Sequence, residues 1–225
     1  MHRILYAENA EHIFCITEAW LNDTVSDAML DPLSCYNIHR FVRPSKNGGA
    51  VAVFINKNIN TECIYAQPEF SCIECVCFDL IESDLRFLVI YRPPEHNVQL
   101  MNSICLYIES CCKDNKTLIV IGDLNCGNID WVNHTVKGDE SQVHFYNTVI
   151  GLGFTQFIDL PTRGDNILDV LLVNDPQLIS NISIDEPFST SDHATVNFKV
   201  KVKVFIIFSI ERIDIGRKLI HNYAI

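Results

Sequence analysis

The chain has 225 residues, 48% hydrophobic and 20% charged, which suits one globular domain with a sizeable core and excludes a disordered chain. A net charge of −11 and a pI near 5.1 exclude a protein that grips nucleic acid by bulk positive charge, and leave room for an acidic site that holds a divalent cation. No run reaches the roughly 18 consecutive apolar residues of a membrane span, and the amino terminus lacks the apolar stretch of a signal peptide, so an intracellular protein without membrane contact is expected.

In chain order, residues 13–17, IFCIT, read as a short buried strand that ends at Glu18. WLNDTVSDAMLD follows as loop and a short helical turn. GGAVAVFINKN, from Gly48, alternates apolar residues after a Gly-Gly turn and predicts a strand. CIECVCFDL and LRFLVIYRPP predict two more strands joined by a turn at Glu82-Ser83-Asp84, and Pro93 and Pro94 end the second. Residues 97–113 carry apolar side chains at helical spacing, with Asn97 placed to cap them. TLIVIGDLN is a strand, residues 140–151 are helical up to Gly151 or Gly153, and FTQFID, ILDVLLVN, ISNISIDE and ATVNFKVKV complete the strands.

Eight or nine strands with two clear helices, mostly in hairpin-like succession, predict an α/β or α+β sandwich with sheets inside and helices outside. Residues 1–202 read as the domain. Residues 203–225 have no obvious place in the pattern and read either as a terminal strand and helix or as an extension added to a finished domain. The ten cysteines lack the paired spacing of a zinc site and are expected to be reduced core residues, with Cys75 and Cys77 on one face of a strand.

Polar residues recur where the apolar runs stop. Glu18 follows IFCIT, Tyr91 and Arg92 follow RFLVI, and Asp123 and Asn125 follow LIVIG. Asp169 lies in NILDVLLV, and Asp192 and His193 lie in STSDH before ATVNF. Each alone is ordinary turn chemistry or a core-edge residue. Together, carboxylates, an amide, an imidazole and a phenol at strand ends are the groups that metal-assisted phosphoryl hydrolysis needs. Carboxylates hold a hard cation, an imidazole held by an acid stabilises phosphate charge, and an amide or phenol binds oxygen.

The ordered motifs ITEAWL, YRPP, GDLN, LDVLLVN and SDH resemble the endonuclease/exonuclease/phosphatase superfamily. Within it they are most similar to the apurinic-type endonuclease domain of non-LTR retrotransposons, over residues 13 to about 200. The resemblance implies a four-layer sandwich of two mixed sheets flanked by helices. It implies Glu18 as ligand of Mg²⁺, with Mn²⁺ as the alternative metal, and Asp192 in or near the metal shell. It implies Tyr91 on the scissile phosphate, Asp123 orienting or deprotonating the attacking water, and Asn125 stabilising the transition state. Asp169 would orient His193, which would stabilise phosphate charge. Arg92 and Asn166 could approach the substrate.

The implied substrate is the DNA phosphodiester backbone, with no protein partner, in the nucleus if chromosomal DNA is the target and otherwise in the cytoplasm. DNA contact would have to rest on local cations such as Arg40, Arg43, Lys46, Arg92 and Arg163. This chain departs from the family pattern at its start: the strand with a metal-placing asparagine that ordinarily precedes the glutamate is not recognisable in MHRILYAENAEH. An uncovered central sheet edge and a weaker metal site are therefore expected. Two other readings stand beside the nuclease, a catalytically impaired remnant that binds without turnover and a phosphatase of a small phosphorylated substrate.

Overall fold

The structure, a computed structural model, describes residues 12–43, 48–188, 190–202 and 206–212. The first sheet draws on β1 (His12–Thr17), β2 (Tyr36–Phe41) and β3 (Val51–Asn56), with the short helix α1 (Asp27–Leu30) between β1 and β2. The second sheet draws on β4 (Thr61–Ile64), β5 (Glu74–Leu80) and β6 (Leu85–Tyr91). Helix α2 (Val98–Cys111) then crosses to β7 (Thr117–Asp123). A small ribbon of β8 (Ile129–Asp130) and β9 (Thr135–Val136) leads into helix α3 (Glu140–Gly151). β10 (Thr155–Gln156) and β11 (Asp169–Val173) complete the second sheet, and β12 (Ile179–Asp185), β13 (Thr195–Val200) and β14 (Ile206–Arg212) complete the first.

Both sheets are six-stranded and mixed, in the orders β12-β13-β14-β1-β3-β2 and β10-β11-β7-β6-β5-β4. The parallel pairs are β1 with β14 and β6 with β7, and the rest are antiparallel. Strands covered on both faces need no polar alternation, which is why LIVI and FLVI read as continuous apolar runs. Successive residues still point to opposite sides. Ile119 and Ile121 of β7 join Phe78, Phe87, Val53 and Phe198 in the core between the sheets, where Phe78 and Phe87 stack at 5.1 Å. Leu118 and Val120 face the other way, onto Met101, Ile104 and Ile108 of α2 and Phe145 and Val149 of α3. Phe14, Ile16, Tyr36 and Phe54 of the first sheet pack under Leu21, Val25 and Leu30. Four layers result, as the resemblance implies.

The helix ends follow local chemistry. The Asn97 side chain accepts from Leu100 N–H at 2.9 Å, as its position predicts, and Asp139 caps α3 through Ser141 and Gln142. Gly153, at φ 79°, turns the chain after α3. All ten cysteines are free thiols, and Cys77 of β5 and Cys111 of α2 lie buried in one cluster.

Several expectations change. FTQFID forms a strand only over Thr155–Gln156. β2 and β4 escape sequence reading because they are edge strands whose side chains are mostly half-exposed or exposed, so their apolar pattern is weak. Of the two readings of the tail, the terminal strand is the one seen in the described residues. Residues 206–212 are a strand in the middle of the first sheet, parallel to β1 and antiparallel to β13. The edge of β1 is therefore covered in this chain, and the sheet does not end at residue 202. MHRILYAENAE, with Asn9, and residues 213–225 lie outside the described residues.

Because among the described strands only β14 joins β12-β13 to β1-β3-β2, a chain ending at Val202 is expected to leave two unpaired edges in the centre of the sheet. That truncation is expected to aggregate in size-exclusion chromatography, whereas a chain ending at Arg212 should elute as the full chain does.

Candidate active site

The site begins where β7 stops. β7 runs parallel to β6 up to the pairing of Val89 with Ile121. At Gly122 the two backbones close in. Its φ is 135°, and a Cβ there would lie 2.0 Å from the Ile90 carbonyl oxygen, so only glycine fits. Arg92 N–H then donates to the Asp123 carbonyl at 2.8 Å, and Leu124 N–H to the Leu168 carbonyl at 3.0 Å. Asp123 is fully buried, yet its Oδ1 accepts Asn125 N–H at 2.9 Å, an Asx turn that lets a carboxylate sit at the end of an apolar strand. The Asn125 amide donates to the Arg92 carbonyl at 2.8 Å, tying this turn to the end of β6.

Asp169 opens β11 directly opposite Asp123. Its Oδ2 lies 2.9 Å from His193 Nδ1, and the side chains are 4% and 1% exposed. An ionised carboxylate only accepts, so Nδ1 carries the proton and Nε2 is the nitrogen through which the ring acts on anything else. Thr162 locks the dyad from behind. Its hydroxyl accepts Leu168 N–H at 3.1 Å and Asp169 N–H at 3.3 Å, and its carbonyl accepts Ala194 N–H at 2.7 Å. The Ser191 hydroxyl accepts His193 N–H at 3.0 Å.

A chain of contacts carries this rim around the molecule. Tyr91, 3% exposed, ends β6 opposite Glu74 of β5. The Glu74 Oε2 accepts Ala50 N–H at 2.9 Å, bridging to the first sheet. Ala50 precedes β3, and its carbonyl accepts Ala19 N–H at 3.1 Å, next to Glu18 at the end of β1. Glu18, Trp20, Ala50 and Asn125 all have positive φ, the sort of backbone strain that gathers at functional loops. Glu18, Tyr91, Asp123, Asn125, Asp169 and His193 thus occupy one end of the sandwich.

Asp192 stands further out: its Oδ2 pairs with the Arg163 guanidinium at 2.6 Å, and the two side chains are 53% and 44% exposed. Arg92 is 2% exposed, and its Nη1 and Nη2 donate to the carbonyls of Leu124 and Glu95, which makes it a clamp for the Asp123 turn. Asn166 forms backbone bonds with Thr162 and Arg163 in the turn that leads to Asp169. Glu74, Thr162 and Gly122 are parts of the rim not singled out from sequence as site residues, whereas Arg43 was named there as a cation for DNA contact. Only the glycine before Asp123 left a local signal.

Among the described residues no three His, Cys, Asp or Glu side chains converge as a ready-made metal cage. The donors at the rim are oxygens, the set a hard cation such as Mg²⁺ takes, and such a cation is commonly held by one or two carboxylates plus water and phosphate oxygens. Burial pushes the neighbouring Cys126 thiol up to about 12, so it stays neutral and is no nucleophile.

Residues 85–197 match a family described as "Endonuclease-reverse transcriptase". No curated protein matches the chain. Solved structures share the fold at low identity. An AP endonuclease from Archaeoglobus fulgidus is 16% identical with TM-score 0.63, covering 84% of this chain and 89% of that one. The endonuclease domain of TRAS1, a telomere-specific non-LTR retrotransposon, is 17% identical with TM-score 0.63, covering 85% and 86%. A 3′-5′ exonuclease from Neisseria meningitidis is 13% identical with TM-score 0.69, covering 89% and 93%.

The contact at Gly122 is with backbone and cannot swing away. Gly122→Ala is expected to cost about 1–3 kcal/mol, read from the urea midpoint. An unchanged midpoint would contradict the close approach of β6 and β7.

Proposed function

Because this chain belongs to the endonuclease-reverse transcriptase family of the endonuclease/exonuclease/phosphatase superfamily, we propose that it is a Mg²⁺-dependent phosphodiester hydrolase that nicks DNA, the endonuclease domain of a non-LTR retrotransposon. The observation that carries this reading is the buried Asp169–His193 pair lying directly across from Asp123 on the neighbouring strand. In this reading a carboxylate base stands beside an imidazole whose orientation a second carboxylate fixes.

Asp123 takes the proton of the attacking water, and the Asn125 amide beside it stabilises the charge that develops on phosphorus-bound oxygen. Asp169 holds the His193 ring by Nδ1, so that Nε2 donates to a non-bridging phosphate oxygen. Tyr91 places its phenol on the same phosphate. The water oxygen bonds to phosphorus, the bond to the departing sugar oxygen breaks, and that oxygen takes a proton from a solvent water as it leaves. Glu18 would hold the metal, with Asp192 near its hydration shell. When bound, a Mg²⁺ ion polarises the phosphate and offsets its negative charge. Among the described residues no helix is long and apolar enough to cross a membrane.

The protein is expected to convert supercoiled plasmid to the nicked form when Mg²⁺ is present. Asp123→Asn and His193→Ala should each slow nicking by at least about 10²-fold. Nicking by either variant at the wild-type rate would overturn the assignment.

A further inference from the structure

Gly48, Gly49 and Ala50 have φ of 87°, 76° and 74°, three left-handed residues in a row, one of them not glycine. The stretch is shaped around a single ion pair. A Cβ at Gly49 would lie 2.5 Å from both Arg43 Nε and Glu74 Oε2, so the backbone presses directly on the pair. Arg43 Nε donates to Glu74 Oε1 at 2.6 Å, its Nη2 also meets that oxygen, and Glu74 Oε2 takes Ala50 N–H at 2.9 Å. The Glu74 side chain is 8% exposed and that of Arg43 is 23% exposed. A pair this deep is a poor device for stability, because desolvating both charges offsets their attraction. Its effect is to fix where one cation sits.

That place is the catalytic rim. The Arg43 guanidinium lies 5.9 Å from the centre of the Tyr91 ring. Its Nη1 makes no hydrogen bond to the described residues. The other cations considered for DNA contact are engaged or placed elsewhere. Arg40 pairs with Asp27 and bonds the Val25 carbonyl, Arg92 is buried, Arg163 holds Asp192, and Lys46 lies outside the described residues.

We infer that Arg43 is a phosphate-binding residue of this rim, taking a non-bridging oxygen of the DNA backbone beside the phosphate at Tyr91, and that Glu74 is its positioning residue. The inference rests on the DNA-nicking reading above and adds to it the contact that lets an acidic protein hold a polyanion. Glu74 occupies one edge of the guanidinium, and Nη1 offers the remaining donors to phosphate.

The test is equilibrium binding to a fluorescein-labelled duplex of about 20 base pairs in EDTA, by anisotropy, between about 50 and 200 mM salt. Arg43→Gln should bind more weakly and lower the slope of log K against log salt by about 0.9, the loss of one phosphate contact. The double variant Arg43→Gln, Glu74→Gln leaves no unpaired buried carboxylate, so it guards against misfolding and should show the same lowered slope. Glu74→Gln alone keeps the cation. It should keep the wild-type slope while affinity falls and the KM for nicking rises more than kcat drops. A wild-type slope in both Arg43 variants, with the wild-type protein still nicking plasmid, would overturn this inference alone. A wild-type protein that neither binds the duplex nor nicks would overturn it together with the reading beneath it.

Discussion

Two sheets pressed face to face leave no place for an unpaired charge between them. Phe78, Phe87, Val53, Ile121 and Phe198 fill that interior, and a carboxylate there would lose its hydration with nothing in return. Polar side chains must therefore collect where strands end. In this chain β1, β6 and β7 end at the same side of the sandwich on which β3, β5, β11 and β13 begin. Every rim residue discussed above follows from that placement. The rim is also stiff. Asp123 sits behind a glycine whose backbone touches Ile90, and Asp169 is pinned by Thr162. Side chains held by packed strands can keep the tight geometry that hydrolysis requires, which loops alone seldom do.

Much of this was legible in the sequence, for a physical reason. A strand covered on both faces is a continuous apolar run, so the residue that breaks the run is conspicuous. Asp123 after LIVIG and Glu18 after IFCIT stand out in this way, and both lie at the rim. Helices α2 and α3 were equally plain, since each buries one stripe against the second sheet. Edge strands gave no such contrast, and β2 and β4 passed unseen. The Arg43–Glu74 pair spans 31 positions, and no local pattern records a contact that depends on how two sheets meet.

The tail poses the opposite problem. IIFSIER is apolar enough to be the terminal strand that the sequence allows, but sequence offers no rule for its partner. The structure pairs Ile206–Arg212 with β1 on one side and β13 on the other, so the strand becomes central. An uncovered edge beside β1 was expected from the missing first strand, and β14 covers that edge instead. Net charge hides a local feature in a similar manner. A total of −11 describes the whole chain, whereas at the rim the Arg43 cation sits beside Tyr91.

The measurement that bears most directly on the rim as a metal-assisted site is the melting temperature as Mg²⁺ is titrated. A cation that binds the native state alone raises stability by RT ln(1 + [Mg²⁺]/Kd). The wild-type protein should show a saturable rise and Glu18→Gln should show none. Equal rises in both proteins, or no rise in either, would contradict a cation held at Glu18.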